Sequence, residues 1–287
     1  MRGTKHNMQA PGTKRQSSGK PDVLPDVSIK HIAAILEQAG AQLLMPAFSQ
    51  VAKTIDRKQD GSIVTATDIA CQQRIRQALF EAWPAIGFLG EEMTEQEQQA
   101  CLHQGGCYWC LDPLDGTSNF VASFPAFALS LALIENGAPT LACIHDPVRK
   151  ETFSAVRGQG ASLNGKKIRA KSVGELRDAV GFIDFKRLDE PLKKRLTAPG
   201  IYRSQRNIGS CALEWAWLAA GRAQFIIHGG EKIWDYAGGG LIAAESGCIL
   251  SDFNGAPLFD DIQPVASIIA AASDSLHENL RHACRLK

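Results

Sequence analysis

The sequence predicts a layered α+β region that runs on into an α/β half, and three observations carry that prediction. After a polar tail, two segments repeat apolar residues at helical spacing. From residue 107 the texture changes to short β-favouring runs separated by turn residues. Beyond Lys171, strand and helix patterns alternate. Helices, then an antiparallel sheet, then alternation is the order expected of stacked layers around a shared core. The 287 residues suit one large domain or two intimately packed ones. We divide them into a tail at 1–27, a first part at 28–150 and a second at 151–287.

Met1 to Val27 is rich in Lys, Gly, Pro and Ser, lacks the apolar stretch of a secretory signal, and is expected to be a disordered tail. From Ser28 to about Val51, the apolar positions Ile29, Ile32, Ala33, Leu36, Ala39, Leu43 and Leu44 form a helical stripe. Pro46 is expected to kink or end that helix. Asp60-Gly61 reads as a turn. A second helix follows, capped by Thr67 or Asp68, with Ile69, Ile75, Leu79 and Phe80 on its apolar side. Ile86 to Leu89 is a short strand that meets Gly90-Glu91-Glu92.

Strands are expected at Tyr108 to Leu111, Phe127 to Ile134, Thr140 to His145 and Glu151 to Val156, with a hairpin turn at Asn164-Gly165. Ala179 to Phe185 is a strand and Lys186 to Leu196 a helix. Ser210 to Ala220 is a helix closed by Gly221, and Ala223 to His228 a strand. Asp235 to Ser246 is a helix closed by Gly247. Val265 to Ala272 is a buried strand, and Ser273 begins a final helix.

Charge excludes some functions. The 31 basic and 30 acidic residues leave a net charge of +1, whereas a polyanion binder is usually far more basic, so nucleic acid is not the expected ligand. No apolar run approaches the ~18 residues of a membrane span. Eight cysteines without a signal peptide point to reduced thiols and a cytoplasmic setting.

The chemistry concentrates in Trp109-Cys110-Leu111-Asp112-Pro113-Leu114-Asp115-Gly116-Thr117-Ser118-Asn119-Phe120. A hydrophobic strand runs into two aspartates three apart; Pro113 stiffens the bend, Gly116 permits a tight turn, and Thr117 is placed to cap the next helix. Two carboxylates held so closely repel, and a hard cation such as Mg²⁺ removes the conflict. Glu91, Asp235 at the start of a small-residue helix, and Asp68 could complete the site. Gly116-Thr117 and Gly209-Ser210, both ahead of helix starts, could offer N–H groups to phosphate oxygens. Taken singly each acid is more simply a cap or a turn; the combination favours chemistry. Cys101, His103, Cys107 and Cys110 lack the paired spacing of common zinc motifs and are read as small core residues. Trp215 and Trp217 sit in an apolar helix that suits a core or a subunit interface.

Gly90-Glu91-Glu92, the Asp112 to Phe120 segment, Trp234-Asp235 leading into a Gly-rich helix, and Glu245-Ser246-Gly247 resemble the inositol monophosphatase family. Lys58 to Asp68 and Gly158-Gln159-Gly160-Ala161 with Asn164-Gly165 are similar to its upstream element and hairpin. The resemblance extends from about residue 30 to the C-terminus. It implies an αβαβα sandwich of the fructose-1,6-bisphosphatase-like type and an Mg²⁺-dependent, lithium-sensitive phosphomonoesterase with two or three ions. Carried over by position, it implies metal ligation by Glu91, Asp112, Asp115, Asp235 and the Leu114 carbonyl. Glu91 and Thr117 would orient the attacking water, with Asp68 behind Thr117, and the amides of Gly116 and Thr117 would hold phosphate. Gly209, Ser210 and Cys211 would face substrate, as would His228 and Asp235.

One position departs. Seven residues before Asp235, where animal inositol monophosphatases carry a glutamate for inositol hydroxyls, this chain has His228, with Glu231 nearby. The Lys-x-Asp-Gly-Ser opening resembles the 3′-phosphoadenosine 5′-phosphate and histidinol-phosphate branches, whereas Thr117-Ser118-Asn119-Phe120 resembles the inositol branch. Inositol 1-phosphate is the expected substrate, with those phosphates and fructose 1,6-bisphosphate as alternatives. The resemblance further implies a homodimer, and a transcription-machinery partner as the competing non-enzyme role.

Overall fold

The computed structural model describes residues 27–50, 56–57 and 63–286. The tail before Val27 and the Asp60-Gly61 turn lie outside the described residues. The first apolar stripe folds as α1 (Ile29–Ala39), with Ile32, Ile35, Leu36 and Ala39 buried. One wide π turn at Gly40–Leu44 shifts the register before α2 (Met45–Phe48). Pro46 lies in the first turn of α2, where its missing N–H is least costly. The helix therefore adjusts ahead of the proline and ends at Phe48.

β1 (Asp56–Arg57) pairs antiparallel with β2 (Ile63–Val64). The cap of α3 (Ala66–Ala82) is Thr65, not Thr67 or Asp68. Thr65 has the extended backbone of a cap and accepts from the Thr67 N–H, while Asp68 on the first turn returns a bond to the Thr65 N–H. The apolar side of α3 is also not the one expected. Ile69 and Phe80 are 45% and 64% exposed, and the inward face is Asp68, Cys71, Gln72, Ile75 and Leu79. Two polar residues occupy the buried stripe because both serve the site, and a purely hydrophobic pattern overlooks them.

A seven-stranded sheet follows in spatial order β3 (Gly87–Gly90), β4 (Cys107–Asp115), β5 (Ala128–Glu135), β6 (Ala138–Asp146), β7 (Glu151–Val156), β8 (Gly160–Leu163) and β9 (Lys166–Ile168). β3 runs parallel to β4 and the other neighbours are antiparallel. Asn164 and Gly165, with φ of 48° and 75°, make the β8–β9 turn. Between β3 and β4 lies α4 (Glu95–Gln104), absent from the sequence reading because none of its residues is buried. Its one sequence signal is the Thr94/Glu97 capping box.

The second sheet has five strands in the order β11 (Ser204–Arg206), β10 (Val180–Asp184), β12 (Phe225–Lys232), β14 (Val265–Ala271) and β13 (Ile249–Ser251). β10 is parallel to both of its neighbours and β14 antiparallel to both of its own. The helices are α5 (Thr117–Val121), α6 (Glu190–Leu196), α7 (Cys211–Ala219), α8 (Ile233–Glu245) and α9 (Asp274–Cys284). The helix expected from Lys186 starts at Glu190, where Asp189 caps it and Pro191 fits the first turn.

The layers run α1 and α3, first sheet, α7 and α8, second sheet, α6 and α9. This is the αβαβα sandwich. The central core sets Trp215, Tyr236 and Ile242 against Ile134 and Phe153 of one sheet and Ile226 and Ile268 of the other. Full burial of each such large apolar side chain contributes about 1.5–3 kcal/mol. That packing fixes α8, and with it Asp235, against the end of β4.

Candidate active site

Strand β4 carries the first two carboxylates to its end. Its pairing with β5 is regular up to Asp112↔Ser130 and shifts register before Asp115↔Ala128, so the Pro113 bend is a break in the ladder. Asp235 arrives in the first turn of α8, its carboxylate accepting the Lys232 N–H at 3.2 Å. Carboxylate oxygens of Asp112, Asp115 and Asp235 lie within 4.8 Å of one another.

Neighbouring loops hold this group in place. Asp115 accepts the Ser210 hydroxyl at 2.5 Å, the Ala212 N–H at 2.8 Å and the Cys211 N–H at 3.2 Å. It thereby sits on the N-terminus of α7, where the helix dipole favours a negative charge. Of the two amides expected there for phosphate, that of Gly209 is already engaged, its N–H donating to Asn207 at 3.0 Å. Gly116 takes φ 93° as the residue before α5, and a Cβ there would stand 2.9 Å from the Ala126 carbonyl. Thr117 is thus the first helical residue and not the cap. Its hydroxyl lies 2.9 Å from Asp68 Oδ1 and 3.0 Å from the Leu114 carbonyl.

Glu91 follows β3, with its N–H on the Leu111 carbonyl at 3.1 Å. Gln98 on α4 clamps that loop by donating to the Gly90 and Glu91 carbonyls, both at 3.1 Å. These elements surround a cavity of about 680 Å³ lined by Glu91, Asp112, Leu114, Asp115, Gly116, Thr117 and Asp235, with Arg187 and Lys232 on its wall. Asp68 stands behind Thr117, and Ser210 and Cys211 reach the group through Asp115. Gly209 packs on Asn119. His228 lies beside Cys211, off the cavity wall.

Residues 27–286 match the model of the inositol monophosphatase family. The chain belongs to the inositol monophosphatase family. It is 37% identical over 213 residues to the Nus factor SuhB of Xylella fastidiosa, covering 72% of this chain and 75% of that one. It is 35% identical to inositol monophosphatase 1 of Solanum lycopersicum, covering 75% and 81%. Among solved structures, an IMPase of Thermotoga maritima superposes with a TM-score of 0.76 at 29% identity, covering 88% of this chain and 94% of that one. Membership makes this a phosphatase-family chain, and among the described residues no helix is long and apolar enough to cross a membrane.

Electrostatics fit a family that generally uses Mg²⁺. Burial, then the Glu91, Asp115 and Asp235 charges, hold the Asp112 carboxyl well above the usual carboxylate range. Burial and the Asp115 charge do the same for Asp235. Asp115 is pushed up to about 6, burial outweighing its bonds from Ser210 and Ala212. Three carboxyls that resist ionising together are the conflict a divalent cation resolves. The donors are all oxygens, the chemistry of a hard ion.

Sequence reasoning missed Gln72, Gln98 and Arg187, and read Asn119 only as part of the family segment. Gln72 accepts the Glu92 N–H at 3.0 Å, and its place one turn beyond Asp68 was the available clue. Asn119 ties two loops together by donating to the Ala126 and Ile208 carbonyls, both at 2.7 Å. No local pattern announces Gln98 or Arg187. The cysteines and histidine of the 101–110 segment separate, Cys101 and His103 to α4 and Cys107 and Cys110 to β4, and assemble no ligand group.

Proposed function

We propose that this chain hydrolyses a small phosphomonoester, inositol 1-phosphate in the first instance, with Mg²⁺ held by Glu91, Asp112, Asp115, Asp235 and the Leu114 carbonyl. The observation that carries the reading is the convergence of three carboxylates from β4 and α8 at one cavity. Bound there, two or three ions would supply charge neutralisation and an activated water.

The protein's own groups have definite tasks. Asp68 receives the Thr65 N–H and hydroxyl on one oxygen and the Thr117 hydroxyl on the other. The Thr117 oxygen, its hydrogen given to Asp68, keeps lone pairs that can accept a hydrogen from a water in the cavity. Burial raises the Asp68 carboxyl above its ordinary range, which suits it to take up a proton through Thr117. Glu91 orients the same water from the β3 side, and the Gly116 and Thr117 amides hold the phosphate. Gly209, Ser210, Cys211 and His228 stand behind the wall on the Asp115 side, toward which the alcohol would extend, and His228 in place of the family's glutamate leaves nucleoside, histidinol and sugar phosphates as alternatives.

The relatives named Nus factors support a second role with a transcription-machinery partner. Cytoplasmic location, lithium sensitivity and a homodimer belong to the same proposal. Phosphate release from inositol 1-phosphate, 3′-phosphoadenosine 5′-phosphate, histidinol phosphate and fructose 1,6-bisphosphate, with and without Mg²⁺, tests it. Mg²⁺-dependent turnover of inositol 1-phosphate is expected, and no turnover of any would overturn the catalytic reading.

A further inference from the structure

A second group of ligand atoms lies behind the cavity wall, with a different chemistry. The Cys211 sulfur, a His228 ring nitrogen and a Glu231 carboxylate oxygen all lie within 4.8 Å of one another. Cys211 opens α7, while His228 and Glu231 both come from β12, whose register with β14 shifts between them. That shift brings two residues three apart to the same point.

Glu231 is 1% exposed. One oxygen accepts the Trp215 indole N–H at 2.8 Å, and the other, Oε1, is buried with no hydrogen-bond partner. A buried carboxylate oxygen without a donor is costly and rare, and it points to a missing cation. We propose that Cys211, His228 and Glu231 form a second metal site, for a thiophilic divalent cation of the Zn²⁺ class.

Geometry and donor type agree. Zinc bonds of about 2.3 Å to sulfur and about 2.0–2.1 Å to nitrogen in a tetrahedron place those two atoms about 3.6 Å apart. Cys211 Sγ and His228 Nε2 are 3.9 Å apart, so closure needs a few tenths of an ångström. Thiolate, imidazole and carboxylate together suit Zn²⁺ over Mg²⁺. Three protein ligands leave a fourth position for water.

Some groups must yield. The Gly230 N–H donates to His228 Nδ1 at 3.2 Å, which puts the neutral ring's proton on Nε2, facing Asp184 Oδ2 at 3.2 Å. Binding through Nε2 moves that proton to Nδ1 and turns the Gly229-Gly230 peptide, which carries no side chain. Arg187, 3.3 Å from Nε2 and exposed on the cavity wall, swings outward. The thiol releases its proton to solvent as the metal–sulfur bond forms. None of this depends on the phosphatase reading.

The full-length protein, with excess Mg²⁺ to fill the oxygen site, is titrated with Co²⁺ as a coloured analogue. One equivalent should develop thiolate-to-cobalt charge-transfer absorption, and Zn²⁺ should bleach it. Cys211→Ser should abolish the band, and Cys101→Ser should keep it. Glu231→Gln should weaken Co²⁺ binding by at least the roughly 10–100-fold that supporting groups are worth at metal sites. A wild-type protein without the band, or a band that survives Cys211→Ser, overturns the proposal. Should Cys211→Ser fail to fold, unchanged affinity in Glu231→Gln overturns it.

Discussion

Two clusters meet at the first residue of α7, and they differ in what they ask of a cation. The backbone N–H of Cys211 serves Asp115 in the oxygen-only group, while its side chain faces His228 and Glu231 in the mixed one. Asp112 and Asp115 are buried, as are His228 and Glu231, but the two aspartates line the cavity with Asp235, whereas His228 and Glu231 do not. One residue thus divides hard from soft donors through its main chain and its thiol. Donor type, more than distance, decides which ion each group favours.

The sharpest way to break that comparison is Asp235→Asn. Mg²⁺-dependent phosphate release should fall roughly a thousandfold, ~4 kcal/mol of barrier at 1.36 kcal/mol per tenfold, while the Co²⁺ charge-transfer band persists. A loss of under tenfold would remove Asp235 from the machinery. Next is Trp215→Phe, which strips the remaining donor from the buried Glu231 carboxylate. Urea denaturation should show a loss of about 1–3 kcal/mol, and an unchanged midpoint would mean that the carboxylate is hydrated.

The oxygen group also predicts a pH dependence. Asp115 titrates at 3.8 in the unfolded chain and at about 6 in the fold, so between those values the native state holds more protons. Metal-free stability contributed by this group therefore falls as pH rises from about 4 to 6 and is level above. Thermal unfolding in chelator should show that slope in the wild type and a flatter one in Asp115→Asn; equal slopes would contradict the assignment. The smallest effect is expected far from both clusters. Phe80→Gln, at a site 64% exposed, should change stability by no more than about 0.5 kcal/mol, and a larger loss would show that this face is covered.

Legibility followed locality. Asp112, Pro113, Asp115 and Gly116 announce a strand breaking into a turn because the signal lies within five adjacent residues. Strands β5 to β7 read well because their apolar runs are continuous. α4 is not legible because a polar helix has no stripe, and the cap of α3 is ambiguous because neighbouring threonines offer equivalent hydroxyls. Hydrophobicity alone points Ile69 and Phe80 inward, while Asp68 and Gln72 take the buried face in service of Thr117 and Glu92.

What the sequence determined by itself is the class of fold, the family pattern and the carboxylates at strand and helix ends, since these depend on side-chain type and spacing along the chain. The tertiary structure decided the rest. That α7 spends its first amides on Asp115, that Gln98 clamps Glu91's loop, and that Cys211 meets Glu231 are contacts between elements far apart in sequence. Such contacts are set by how layers pack and how a strand slips register, and no local periodicity encodes them.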